Sequence, residues 1–218
     1  MIKVLIVDDH ALVRIGIRRL LEDLQDMMVV GEAESGEVAL ALVKKLSPDV
    51  ILLDMKMPGI DGWEVTRRLK KSNLHIKVIA VTAICAEPLP SRILQLGAMG
   101  YLTKESSVEE MAAAIRKVYR GERYLSAEIA QKMAISSLET NQDSPFDLLS
   151  EREMQVMLMI TSGMTVQDIA ERLFLSPKTI NGYRYRIFEK LVIKNDVELT
   201  YLAMKHGLIE RPHEATHD

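Results

Sequence analysis

Two hydrophobic periods alternate over residues 1–120. Short apolar runs rich in β-branched residues recur at Val4–Val7, Met28–Ala33, Val50–Leu53, Val78–Thr82 and Gly100–Thr103. Runs with no polar alternation predict strands buried on both faces, as in a parallel sheet covered by helices. Between them the spacing turns helical, with Leu12, Ile15, Leu20 and Leu24 as one set and Val38, Leu42 and Leu46 as another. Pro48 predicts the end of the second helix, and Gly97 predicts the C-cap of the fourth. Five such units predict an α/β fold, a doubly wound five-stranded parallel sheet with helices on both faces.

Beyond Tyr119 the pattern changes. Residues 121–146 read as a linker, with a short helix over Ser126–Ile135 and a polar stretch over Ser136–Pro145. Residues 147–209 predict an all-α domain of four helices. Ser150 and Glu153 form a capping box that opens the first, and Gly163 closes it. Thr165 caps a short second helix ending near Leu173. Ser176-Pro177 supplies the N-cap and first-turn proline of a third that runs to Leu191. Asp196 opens a fourth that stops at Gly207. Residues 210–218 predict a disordered tail.

Composition alters this picture little: 48% of the 218 residues are apolar and 27% charged, an ordinary globular balance. The single cysteine, Cys85, excludes an intrachain disulfide and points to a reducing, cytoplasmic setting. The apolar stretch at the N-terminus is too short for a secretion signal, and no segment suits membrane insertion. Charge is more informative. The net charge is −3, and residues 121–218 hold 11 Lys+Arg against 15 Asp+Glu. Within that acidic half, residues 177–194 carry Lys178, Arg184, Arg186, Lys190 and Lys194 against Glu189 alone, a local +4. A basic strip on an acidic molecule marks a site for a polyanion.

Ligands of doubly wound sheets gather at the carboxyl ends of the strands. Asp8, Asp9, Asp54, Thr82 and Lys104 all fall there. Each alone is an ordinary loop or capping residue; the whole set, in chain order at successive strand ends, is not. Three carboxylates brought together repel unless a cation joins them. Oxygen donors that leave room for water and phosphate suit Mg²⁺. With the charge neutralised, Asp54 can act as a nucleophile toward phosphorus, Thr82 can donate to a phosphoryl oxygen and Lys104 can pair with another.

The stretches VDDH at 7–10, LLDMKMPGIDG at 52–62, VTA at 81–83 and GAMGYLTK at 97–104 resemble the flavodoxin-like receiver domain of two-component response regulators across residues 1–120. The resemblance implies that Asp54 takes phosphate from a histidine kinase. It also implies that Asp9, Asp54 and the backbone carbonyl of Lys56 hold Mg²⁺, with Asp8 acting through water. Thr82 and Tyr101 would be the switch pair, the hydroxyl moving to the phosphoryl group and the ring turning inward. Without the motif, Tyr101 would read as a packing aromatic on an edge strand. Pro58 and Gly59 match the turn beside the site. Pro88 and Pro90 predict a shortened or reshaped start to the fourth helix, and Cys85 reads as a bystander.

The segment Thr165–Leu191 has the layout of two helices joined by a tight turn. Ile169, Ala170, Leu173 and Leu175 would pack the pair, and Ile180, Ile187 and Leu191 would form the inner face of the second. That leaves Lys178, Thr179, Arg186 and Lys190 as phosphate contacts, and Asn181, Tyr185 and Arg184 as base readers in a major groove. Residues 148–209 resemble the LuxR-type helix-turn-helix domain, and within that group they look most like the GacA global regulators. They depart from the broader pattern at Tyr183, where histidine is common, and at Gly182. The resemblance implies a homodimer on promoter DNA joined through the fourth helix, with genes for small regulatory RNAs among the targets.

These readings combine into a phosphorylation-controlled transcription factor. The unphosphorylated receiver is expected to mask Lys178–Leu191 or the fourth helix. Two other classes share parts of the pattern: an aspartate-nucleophile phosphatase, for which the chain has no insertion to build a cap, and a constitutive DNA-binding protein with a vestigial receiver.

Overall fold

The computed structural model describes residues 1–72, 75–82, 89–138 and 144–209. Cys85, Pro88, the centre of the polar linker and the tail from Glu210 lie outside the described residues. Chain contacts gather into two units, one ending at Ser137 and one following it.

The first unit is built on parallel strands β1 (Ile2–Val7), β2 (Met27–Ala33), β3 (Val50–Asp54), β4 (Lys77–Thr82), β5 (Gly100–Thr103) and β6 (Tyr124–Leu125), in the order β2-β1-β3-β4-β5-β6. Helices α1 (Ala11–Glu22), α2 (Gly36–Leu46), α3 (Gly62–Lys71), α4 (Leu89–Leu96) and α5 (Val108–Tyr119) cross between successive strands, and α6 (Ala127–Leu138) follows β6. Period-two alternation divides each central strand between two layers. Val4, Ile6, Val50, Leu52, Ile79, Val81 and Leu102 pack with Ile17, Leu21 and Ile115 of α1 and α5.

One expectation needs correction. The sheet has six strands, not five: Tyr124 and Leu125 pair with Gly100 and Tyr101. A two-residue strand is too short to show a period, so the pattern could not find it. Its presence means that β5 is not the edge, and Tyr101 is fully buried beneath it. The spacing of α1 marks a helix but not its buried face. Its buried residues are Ile17 and Leu21, whereas Leu12 is 85% exposed, Ile15 58% and Leu20 38%. Apolar residues occur on both sides of this helix, and spacing alone does not choose between them. After Tyr119 the expected short helix is present as α6. Ser126 caps α6 by accepting the Ile129 N–H at 3.3 Å, and Ile129 is fully buried, so this helix belongs to the first unit.

The second unit contains a 3-10 turn, Pro145–Leu148, then α7 (Glu151–Thr161), α8 (Val166–Leu173), α9 (Pro177–Leu191) and α10 (Asp196–Lys205). Its boundaries follow the capping signals. Ser150 and Glu153 make the reciprocal box, Thr165 makes another with Asp168, Ser176 accepts the Thr179 N–H, and Asn195 accepts the Glu198 N–H. Phe146, Ile169, Ile180, Ile187 and Leu199 are fully buried and hold the helices together.

Two of these helices end on left-handed residues that are not glycine, Phe174 and Val192, each at φ +54°. A β-branched side chain in that region is strained. Val192 is 90% exposed and has little packing to lose. Val192→Gly should therefore stabilise the second unit by about 1 kcal/mol, read as a higher midpoint in thermal unfolding.

Candidate functional site

The register of the sheet sets the first site. Val7 pairs with Leu53, which brings Asp8 at the end of β1 beside Asp54 at the end of β3. Asp8 continues the ladder through its N–H to the Ala33 carbonyl at 3.1 Å, and Arg14 of α1 donates to the Asp8 carbonyl at 2.7 Å. Both carboxylates are buried, Asp8 2% and Asp54 3% exposed. Lys104 lies between them, its Nζ 2.7 Å from Asp8 Oδ2 and 2.7 Å from Asp54 Oδ2. That ammonium is placed by β5: Thr82 pairs with Thr103, and the Lys104 N–H donates to the Thr82 carbonyl at 3.0 Å. The other oxygen of Asp54, Oδ1, accepts the Lys56 N–H at 2.9 Å.

Asp9 and His10 complete the cluster. Carboxylate and imidazole atoms of Asp8, Asp9, His10 and Asp54 all lie within 4.8 Å of one another. His10 Nδ1 is 2.8 Å from Asp9 Oδ1 and 3.2 Å from Asp8 Oδ1. The contact to Asp9 lacks hydrogen-bond alignment, so Asp9 Oδ1 is a buried acceptor with no hydrogen bond. An anionic pocket with an unsatisfied oxygen fits a hard cation.

Charge at the two ends of the central pair is perturbed in the same direction for opposite reasons. Burial pushes the Asp54 carboxyl above its usual range, and Asp8 adds to it; the bonds from Lys104 and Lys56 only partly offset this. For Lys104 burial works to lower the value, but its bonds to Asp54 and Asp8 win and raise it. The strongest local partner of the Asp54 carboxyl is thus one shared lysine.

Thr82 is 6% exposed at the end of β4, and Tyr101 is fully buried two residues before the end of β5. Gly59 takes the left-handed φ of +73° in the β3–α3 turn, where any Cβ would meet Glu37 Oε1 at 2.7 Å. Glu37 accepts the Ile60 N–H at 2.9 Å and so ties that turn to α2. Sequence reasoning missed two other glycines. A Cβ at Gly36 would lie 2.1 Å from the Ile60 carbonyl oxygen, and one at Gly62 would lie 2.4 Å from that of Asp54. Both open helices, where nothing in local sequence separates a close-packed glycine from a tolerated one.

The second site is α9. Ile180, Ile187 and Leu191 face inward, as the spacing predicts. Lys178 and Thr179 are exposed, Tyr185 is 73% exposed, and Asn181 is half-buried. Gly182 lies among them with nothing within 4 Å of where a Cβ would be, so no contact inside the domain requires glycine there. The remaining cations are engaged within the protein. Lys190 Nζ is 2.6 Å from Glu153 Oε2, and Arg186 Nε is 3.4 Å from Oε1 of the same carboxylate. Burial works against the charge on Glu153, but Lys190 and the Ser150 backbone outweigh it and hold the carboxyl below its usual range. Arg184, predicted to read bases, sets its guanidinium fork on Asp196, with distances of 2.7 and 2.5 Å. The capping pattern located Glu153; its second task, steadying the end of α9, had no signal in the sequence.

Comparison with known proteins identifies both domains. Residues 4–116 match the response regulator receiver domain, and residues 147–203 match the bacterial regulatory proteins of the luxR family. The chain is 55% identical to the response regulator GacA of Pseudomonas aeruginosa over 211 residues, 96% of this chain and 99% of that protein. It is 54% identical to the response regulator UvrY of Escherichia coli, covering 95% and 96% respectively. Its structure is similar, with a TM-score of 0.75 and 26% identity over 94% of this chain and 99% of the other, to RcsB of Salmonella enterica serovar Typhimurium bound to promoter rprA in the presence of the phosphomimetic BeF3−. A receiver domain followed by a luxR-family domain, matched along nearly the whole length of such relatives, makes this chain a member of the response regulator family of transcription factors.

Proposed function

We propose that Asp54 is the phosphoacceptor of this regulator and that its phosphorylation controls binding of promoter DNA by α9. The observation that carries the reading is the buried pair of Asp8 and Asp54 at adjacent strand ends, bridged by one ammonium. The donor is a phosphohistidine of a histidine kinase, and the reaction takes place in the cytoplasm. A carboxylate oxygen of Asp54 forms a bond to phosphorus while the P–N bond breaks and its electron pair returns to the imidazole. Asp8, Asp9, Asp54 and the Lys56 carbonyl would hold Mg²⁺, which when bound offsets the repulsion between carboxylate and phosphoryl oxygens.

Lys104, already within hydrogen-bond distance of Asp54, is placed to pair with a phosphoryl oxygen, and the Thr82 hydroxyl donates to another. Thr82 and Tyr101 form the switch that reports the new charge, because phosphorylation adds nearly two negative charges at one point. In the output unit, Lys178 and Thr179 contact phosphates and Asn181 and Tyr185 reach base edges. Two copies joined through α10 bind an inverted repeat, with half-site centres about one helical turn apart. The relation to GacA extends to targets that include small regulatory RNA genes. Without phosphate, the receiver masks α9 or α10, and phosphorylation shifts the population toward the unmasked form.

The test uses the full chain with Mg²⁺ and a small acyl phosphate, and a duplex selected from random sequence by the phosphorylated protein. Intact mass should show one added phosphoryl group, and affinity for the duplex should rise. No uptake, or uptake that leaves affinity unchanged, would end the reading.

A further inference from the structure

The geometry points to Arg184 as a positioning residue that locks α10 onto α9 and makes no contact with DNA. The inference rests on the reading of α9 as the DNA-facing helix and deepens it. Arg184 Nε lies 2.7 Å from Asp196 Oδ1 and Nη2 lies 2.5 Å from Oδ2, so the fork occupies both oxygens of one carboxylate. That planar pairing is the most geometrically specific an arginine can make, and a lysine cannot reproduce it. The Phe188 ring, one turn further along α9, lies 5.3 Å from the guanidinium carbon and limits its swing. Asp196 is itself well placed for charge: it is the first residue of α10, where exposed backbone N–H groups favour an anion.

The clasp joins two elements across a turn whose capping residue, Val192, is strained. The buried Leu199 and Ala203 face holds α10 against the domain but leaves its angle to α9 to the clasp. In a dimer joined through α10, the angle between α10 and α9 sets the distance between the two reading helices. A small rotation in each copy would move both off their half-sites together. Reaching a base would require Arg184 to give up two charge-assisted bonds and leave Asp196 beside DNA phosphates, an unfavourable exchange. Phosphate contact then concentrates in the first turns of α9, around exposed Lys178 and Thr179.

The experiment titrates the full-length phosphorylated protein onto its selected duplex at several salt concentrations. Arg184→Ala and Asp196→Ala should each weaken binding, by about five-fold for one clasp and about twenty-fold for a dimer that carries it twice. The double variant should be no worse than either single one, because both remove the same interaction. The slope of log affinity against log salt should stay unchanged, and Arg184→Lys should be as weak as Arg184→Ala. A slope reduced by about one in Arg184→Ala, with Asp196→Ala binding as well as or better than the parent, would put the guanidinium on a phosphate and overturn the proposal. So would full affinity in Arg184→Lys. Thermal unfolding accompanies each variant; should Asp196→Ala fail to fold, Asp196→Asn keeps the side-chain shape and is read in the same way. Lys178→Ala tests the underlying reading separately, and should lower the slope by about one. If it changes neither affinity nor slope, α9 does not face DNA and the positioning role falls with it.

Discussion

Asp54→Asn should take up no phosphoryl group under conditions that modify the parent chain, and it should unfold at a higher temperature. The two effects have one origin. Asp54 is buried beside Asp8, and burial with that neighbour holds its carboxyl above the ordinary range despite bonds from Lys104 and Lys56. An acid whose native value is raised binds its proton more readily folded than unfolded. Folding stability therefore falls as pH rises from the unfolded value of 3.8 to the raised native one, and above that the whole penalty is present. Asparagine is nearly the same shape and carries no charge. Lys104 keeps Asp8 as a partner at 2.7 Å, so the ammonium is not orphaned.

The gain should be read as a higher Tm at neutral pH. It should shrink toward zero below pH 4, where the parent carboxyl is protonated too. Calorimetry across pH checks the sign, and intact mass checks the chemistry. A variant that is less stable at pH 7 than the parent would mean that the pairing with Lys104 outweighs desolvation. Uptake on the variant would place the phosphoryl group elsewhere.

How far the sequence foretold this molecule depends on what kind of signal each feature leaves. The strands β1 to β5 were legible because burial on both faces writes continuous apolar runs, and the helices of the output unit because their caps are side-chain chemistry at fixed offsets. β6 was not, since two residues carry no period; that Tyr101 pairs on both sides within the sheet was hidden with it. The buried side of α1 was not legible, because Leu12 and Ile15 satisfy helical spacing as well as Ile17 and Leu21 do, and only packing decides between them. At the acid cluster, residue type and strand-end position named Asp8, Asp9, Asp54 and Lys104. Spacing could not reveal that one ammonium joins Asp8 to Asp54, because that depends on the sheet register and on the Thr82–Lys104 backbone bond. The basic helix shows the opposite limit. Composition counts charges without their partners, and only the structure sets Asp196 against Arg184 and Glu153 against Lys190.

Gly62→Ala should damage the phosphoacceptor site although it removes no polar group. Gly62 opens α3 directly behind β3, capped by Asp61, whose side chain accepts the Glu64 N–H at 2.9 Å. A Cβ there would lie 2.4 Å from the Asp54 carbonyl oxygen and 2.7 Å from Met55 Cα. These are backbone atoms of the strand that carries the phosphoacceptor and of the loop after it, and no rotamer change can move them aside. Either α3 lifts off the sheet or the end of β3 shifts. Overpacking of this kind costs about 3 kcal/mol, and displacement of a reacting group by about 1 Å costs about 100-fold in rate. Uptake from a small acyl phosphate should therefore slow by roughly that factor in whatever fraction stays folded. Gly16→Ala is the natural control, since a Cβ on that face of α1 meets nothing within 4 Å. Removing a helix-interior glycine there should stabilise by about 1 kcal/mol, with the uptake rate unaltered. If Gly62→Ala matched this control in both melting temperature and rate, the close approach of α3 to Asp54 would not be what holds the phosphoacceptor in place.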